Sequence, residues 1–204
     1  MSNAVVGMMY PVFAPLLSHT KGSMPVYGQG RVIQEGREVT INKTFGDNPL
    51  YGDDEEQDND NGLTGIGYEF ESTGLDDEDR VFLFGETANA DTVTGGYWEG
   101  DNETPYGGFG HIRKMRNNHG TGESTRTYEA WICLKIKFQE TSQTARTKEG
   151  NQISWGTPRL SGQGASLDVD GSGVNKFRLH RTFTSASAAK AWINGILNVN
   201  AATT

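Results

Sequence analysis

Apolar and polar residues alternate through most of this chain, and that period of two predicts strands in more segments than the 3.6-residue period predicts helices. The clearest case is TRTYEAWICLKIKF, where Ile132, Leu134, Ile136 and Phe138 fall on one face of a strand and Trp131, Cys133, Lys135 and Lys137 on the other. FGHIRKMR precedes it across NNHGTGES, so the two read as a hairpin with a wide tip. In MPVYGQGRVIQEGREVTINKTF, Val26, Val32 and Ile33 and then Val39, Ile41 and Phe45 flank QEGRE, which predicts a second hairpin. LTGIGYEFES keeps the period with Leu63, Ile66, Tyr68 and Phe70. NQISWGTPRLSGQGAS predicts a strand whose Pro158 favours an edge or a bulge, and ETANADTVTGGYWEGDNETPYGG reads as loop or hairpin.

Two segments break the alternation. In STGLDDEDRVFLFG, Ser72 or Thr73 is placed to cap a short helix, four acids follow where the helix dipole favours them, and Gly85 stops it. In TFTSASAAKAWINGILNV, Thr184 or Ser185 caps a helix on which Ala189, Trp192, Ile193, Ile196 and Leu197 form one apolar stripe. With no alternation of strand and helix there is no case for a parallel sheet. The expected fold is mainly β, an antiparallel β-sandwich or partly closed barrel with one short helix and a C-terminal flanking helix.

The opening VVGMMYPVFAPLL carries Pro11 and Pro15 and lacks a basic start, which argues against a signal peptide and against a long helix. Residues 1–22 are therefore expected to form an N-terminal arm that the fold does not need. A single β-sandwich domain over 23–198, with a long acidic loop at 47–62, and a short tail at 199–204 complete the expected organisation.

At 204 residues the chain is long enough for one substantial core, and 27 glycines mark many turns. No run approaches the roughly 18 apolar residues of a membrane span, so no membrane partner is expected. The single cysteine, Cys133, excludes an internal disulfide. It shares its predicted face with two lysines, which suggests a half-exposed position near a subunit contact rather than a nucleophile. His19, His111, His119 and His180 lack short ligand spacing, and no phosphate loop, serine elbow or HExxH pair is present. Neither a cofactor nor catalysis is expected.

Charge changes the picture. Between Asp47 and Glu103 stand 18 acidic residues and one basic, Arg80, whereas Thr104 to the C-terminus carries a net +7 within a total of -8. In DNPLYGDDEEQDNDNG, Asp53, Asp54, Glu55, Glu56, Asp58 and Asp60 repel one another and leave little to bury, so an exposed loop is expected. If the two halves face different sides, the acidic surface of one copy meets the basic surface of the next, head to tail, and the contact propagates. The alternative is that the acids simply stay solvated.

DVDGSG resembles the opening of a hand-type calcium loop, with Asp168, Asp170 and Ser172 at ligand positions 1, 3 and 5 and Gly173 at position 6. Position 12, which needs a bidentate Glu, is Leu179, and neither flank reads as a helix. A polar turn between strands is the expected structure, with a calcium-assisted module that recognises a glycan or host surface as an alternative; Trp98 and Tyr106 would then stack on sugars. Paired carboxylates from Glu69, Glu71, Glu99 and Glu103 would suit glycoside hydrolysis, but acids are so plentiful here that no pair stands out.

NPLYGDD before the acidic run, LDDEDRVFLFG, ETPYGGFGHIRKMRN leading into YEAWICLKIKF, then TKEGNQISWGTPRLSG and HRTFTSASAAKAWINGIL together resemble the major tail proteins of long-tailed bacteriophages. The likeness spans roughly residues 45 to 197 as an ordered pattern of segments; the N-terminal arm and DVDGSG lie outside it. It implies a tail tube subunit in the virion tail, assembled in the host cytoplasm from six-fold rings that stack into a conduit for DNA ejection. Its partners would be itself and other phage tail proteins, and DNA would pass without specific binding through an acidic bore. The residues implied at ring contacts are Met8, Met9, Phe13, Leu16 and Leu17 in the arm and Asp53, Asp54, Glu55, Glu56, Asp58 and Asp60 in the loop. Lys135 and Lys137 fit poorly in such a bore.

Overall fold

The computed structural model describes residues 3–33, 36–46, 49–52, 55–59, 62–89, 95–100, 103–117, 125–142 and 156–200. In chain order they form β1 (Asn3–Ser18), β2 (Val26–Tyr27), β3 (Arg31–Val32), β4 (Gly36–Phe45), β5 (Pro49–Gly52), β6 (Glu55–Asn59), β7 (Leu63–Ser72), α1 (Asp77–Phe84), β8 (Thr87–Asn89), β9 (Gly96–Trp98), β10 (Gly107–Asn117), β11 (Thr125–Ser142), β12 (Arg159–Gly164), β13 (Arg178–Phe183) and α2 (Ala186–Leu197). The protein is mainly β. One antiparallel sheet runs in the order β2-β1-β10-β11-β12-β7-β4, with β3 added on β1 and β13 on β11, while β5-β6 and β8-β9 are separate two-stranded sheets.

β11 is the spine. Its first half, Tyr128–Cys133, pairs with β13, and its second half, from Ile136 onward, pairs with β12. Along its other edge it pairs with β10, where Phe109 lies opposite Cys133 but Gly107 lies opposite Ile136, so β11 holds one extra residue between them. Such a bulge reverses which face the following side chains meet. Ala130 and Ile132 accordingly pack with α2, whereas Cys133, Ile136 and Phe138 pack in a second cluster on the opposite face. Strict alternation, with Ile132, Leu134, Ile136 and Phe138 on one face, is therefore not what forms. The backbone at the bulge stays satisfied: Leu134 N–H donates to Phe177 O at 3.0 Å, and Tyr27 Oη–H donates to Leu134 O at 2.6 Å.

The helix-side cluster sets Ala189, Ile193 and Leu197 of α2 on Val12, Ala14, Ile112 and Ile132. Ser185 caps α2 by accepting from Ala188 N–H, as expected of Thr184 or Ser185, and Asn198 ends it in the left-handed region at φ 50°. On the opposite face Phe13, Phe109 and Phe138 meet edge to face, with centroids 5.1 Å apart for Phe109–Phe138 and 6.2 Å for Phe13–Phe138. Ile66, Tyr68, Phe70 and Leu83 of α1 complete that cluster. Glycine in β10 makes both contacts possible: a Cβ on Gly107 would lie 2.3 Å from the Phe13 ring, and one on Gly108 2.7 Å from Leu197. The sheet curls until Gly36 of β4 abuts Met8 and Pro11 of β1, packed through side chains but not hydrogen-bonded, so the barrel stays open.

Several expectations are corrected. Residues 3–18 are not an arm but β1, paired along most of their length with β10 and flanked by β2 and β3, because the apolar run presents Val12 and Ala14 to one cluster and Phe13 to the other. Pro11 and Pro15 fit because β1 bulges between Met9 and Val12, with Tyr10 at φ 59°. That strained residue is held by α2: its hydroxyl donates to Asn194 Oδ1 at 2.9 Å and Lys190 sits over its ring. QEGRE does not join a hairpin either, since β3 pairs with β1 and β4 with β7. The cap of α1 is Asp76, whose side chain accepts from Asp79 N–H, while Ser72 is spent on Gly74 O. The acidic segment holds the β5-β6 hairpin. In the expected tail, Val199 packs on the helix-side cluster, and 201–204 lie outside the described residues. Among the described residues no helix is long and apolar enough to cross a membrane.

Removal of residues 1–17 is expected to abolish cooperative folding, since it takes an interior strand and both its core faces; circular dichroism with thermal melting reads this directly. Phe13→Ala alone should cost about 3–5 kcal/mol in urea unfolding. A truncated chain that melts cooperatively like the full chain would contradict the placement of β1.

Candidate functional site

Exposed apolar side chains lie at the ends and edges of the sheet. Phe45 and Leu63 face each other in register where β4 and β7 lead into and out of the acidic segment, and they are 56% and 37% exposed. At another edge, Leu17 is 67% exposed beside Met24 and Val26. Of the predicted arm contacts, Leu17 is thus at the surface, Met8, Met9 and Leu16 are half-buried, and Phe13 is fully enclosed and unable to meet a neighbour. Glu55, Glu56 and Asp58 belong to β6; Asp53, Asp54 and Asp60 lie outside the described residues.

Helix α1, in the acidic half, is tied to the body by two arginines. Arg31 reaches the N-terminus of α1, 3.0 Å from Asp76 and 3.1 Å from Asp79, with Glu78 also in contact. Arg80, the single base between Asp47 and Glu103, lies 3.0 Å and 3.4 Å from the two oxygens of Glu140 on β11 and 3.4 Å from Glu86. Both guanidiniums are held above their usual pKa by these carboxylates against the opposing effect of burial. They fix α1 as structure, not as a reactive centre.

Of the carboxylates proposed for catalysis, Glu69 and Glu71 stand two apart on β7 and line one surface hollow with Glu38, while Glu99 and Glu103 lie in the segment after β9. Glu71 is engaged by Arg37 at 3.0 Å, Arg159 at 3.6 Å and the Thr157 hydroxyl, whereas Glu69, Glu99 and Glu103 are exposed. DVDGSG is a turn between β12 and β13: Asp168 Oδ1 accepts from Gly171 N–H, Asp170 accepts from Ser172, Leu167 and Lys176 bridge across it, and neither flank is a helix. Lys176 places its ammonium on Asp170, where a cation would otherwise sit, and with Ser172 holds that carboxyl down at about 2. No group of three or more metal-ligating side chains converges among the described residues.

Cys133 is buried rather than half-exposed, because the bulge that follows it sets Ile136 and Phe138, not Lys135 and Lys137, on its face; burial pushes its thiol up to about 12, which leaves it unreactive. Lys135 and Lys137 bracket the Tyr106 ring at 4.5 Å and 5.4 Å, so that ring is partly covered. Trp98 is 63% exposed on β9.

What sequence reading missed is a basic hollow of about 550 Å³, to which Arg37 and Lys43 come from β4, His111 and Arg113 from β10, Trp131 from β11 and Arg178 from β13. Trp131 stacks on His180 at 4.3 Å on one side and carries the Arg178 guanidinium 4.4 Å from its ring centre. The net positive charge after Thr104 was the available signal, but nothing in chain order shows where those charges converge. Complete burial, reinforced by the charges of Arg113 and Arg178, holds His111 down at about 3, so its imidazole is neutral. No family model matches the chain, and no curated protein is similar enough to count as a relative.

The unfolded chain binds a proton on His111 below its ordinary 6.5, and the folded chain does so only near 3. Its contribution to stability is therefore full above pH 6.5 and lost progressively as pH falls toward about 3. Urea unfolding across that range should show this slope, and His111→Gln should flatten it. A His111 resonance titrating near 6.5 in the folded protein would contradict the burial.

Proposed function

We propose that this chain is a structural, non-catalytic subunit that assembles with copies of itself into stacked rings, the tube of a bacteriophage tail through which DNA leaves the virion. The observation that carries the reading is the separation of the acidic run into a hairpin, β5-β6, that among the described residues pairs with no strand of the main sheet, on a body whose remaining 19 acids and 18 bases nearly balance. A self-contained strand pair flanked by the exposed Phe45 and Leu63 is the kind of element that gains partners only on a neighbouring copy. Open sheet edges and an amphipathic helix already consumed by the core support a structural role.

Ring contacts fall on Leu17 and on the acidic hairpin rather than on a free arm. A six-fold ring, stacking on further rings and on other tail proteins, follows from the family resemblance; acid-rich surfaces toward the bore would let DNA slide without binding. A calcium-assisted glycan-binding module is the alternative, favoured by the exposed Tyr97 and Trp98 on β9.

Negative-stain electron microscopy across protein concentration is expected to show rings or hollow tubes, with growth that changes as salt screens the charges. Particles that stay single at every concentration and salt would overturn self-assembly. For the alternative, millimolar calcium is expected to give no heat in calorimetry and no rise in melting temperature; a stabilising, saturable response would favour the binding module.

A further inference from the structure

The basic hollow beside β4 has features of a receptor for a carboxylate. Arg37, Lys43, Arg113 and Arg178 line it with Glu38 as the opposing acid. Arg37 is 3.0 Å from Glu71 and Arg113 3.6 Å from Glu129, but Lys43 and Arg178 have no carboxylate within ion-pair distance among the described residues. Two lining residues, His111 and Trp131, keep the ring nitrogens Nδ1 and Nε1 enclosed behind the wall of the hollow, without a hydrogen-bond partner among the described residues. Met8, Val39 and Ile41 line the same hollow and exclude water from part of it, which strengthens any charge pairing there.

The chain itself carries the complementary group. Glu55, Glu56 and Asp58 lie on β6, within a run that includes Asp53, Asp54 and Asp60, in a hairpin that among the described residues pairs with nothing in the main sheet. We propose that this hollow is the receptor for the acidic hairpin of a second copy of the chain, whose carboxylates pair with Lys43 and Arg178. Each copy presents the hairpin and the hollow on different elements, so the contact runs head to tail, the kind that closes into a ring or continues from ring to ring according to the rotation it imposes. This rests on the self-assembly reading and names the surface that it uses.

The test mixes full-length protein of natural isotope content with ¹⁵N-labelled protein and treats it with a carbodiimide, which joins a carboxylate to a lysine amine as an amide with loss of water. Mass spectrometry should find mixed-isotope crosslinks between Lys43 and the 53–60 run. Lys43→Glu, at an exposed strand position that folding does not need, should raise the concentration for half-maximal assembly at least about tenfold, and joining it to Glu56→Lys should recover much of the loss. Crosslinks confined to single copies would overturn the inference, as would assemblies seen by microscopy in which Lys43 couples elsewhere; in the latter case self-assembly stands. Absence of both crosslinks and assemblies would overturn both readings. Duplex DNA retained by the wild type and released by Lys43→Glu, without the hairpin crosslink, would reassign the hollow to phosphate and overturn the inference.

Discussion

The extra residue in β11 between Cys133 and Ile136 is the constraint on which the rest depends. One strand of 18 residues there serves two partners on one edge, β13 then β12, and two cores, one on each face of the sheet. Without the reversal, Ile136 and Phe138 would face the same way as Ile132, and the aromatic cluster of Phe13, Phe109 and Phe138 would lose a member. The bulge also sets Ile136 and Phe138 on the face of Cys133 and leaves Leu134 O to accept from Tyr27, so the local irregularity is compensated in hydrogen bonds.

A sheet buried on both faces needs both faces covered, and β1 and β10 show how. The glycines of β10 let Phe13 close on one side and Leu197 on the other, while β1 contributes Val12 and Ala14 to the helix and Phe13 to the aromatics. The segment richest in apolar residues is thus consumed by the core. What remains for neighbours is the strand edges, with Leu17 and the Phe45–Leu63 pair, and the charged elements that no core absorbs.

Electrostatics divides along the same line. Arg31 and Arg80 fasten the acidic half through α1, using carboxylates that are partly enclosed and close enough to hold firmly. Beyond α1 the acids have few bases of their own, and the basic residues gather elsewhere, around Trp131 and His111. A fold arranged in this way carries unlike charge on separate elements of every copy, which suits repetition more than closure into a pair.

The local pattern of the chain determined the strands of alternating sequence, the β10–β11 hairpin, the presence of both helices and the stripe of Ala189, Ile193 and Leu197, because hydrophobic period acts within a few residues of sequence, whereas the acidic segment, expected as a loop, holds β5 and β6. It also determined that DVDGSG is a turn, since the twelfth position and both flanks are adjacent in the chain. It misjudged residues 3–18, whose prolines suggested an arm, because the bulge that admits them is held by Asn194 and Lys190 of α2 at the far end of the chain. Which side chains share the face of Cys133 turned on one inserted residue measured against β10, and the basic hollow on five strands meeting from distant parts of the sequence. Those features belong to the tertiary structure alone, because pairing register and the convergence of charge are set by contacts between segments, and no periodicity within a segment encodes them.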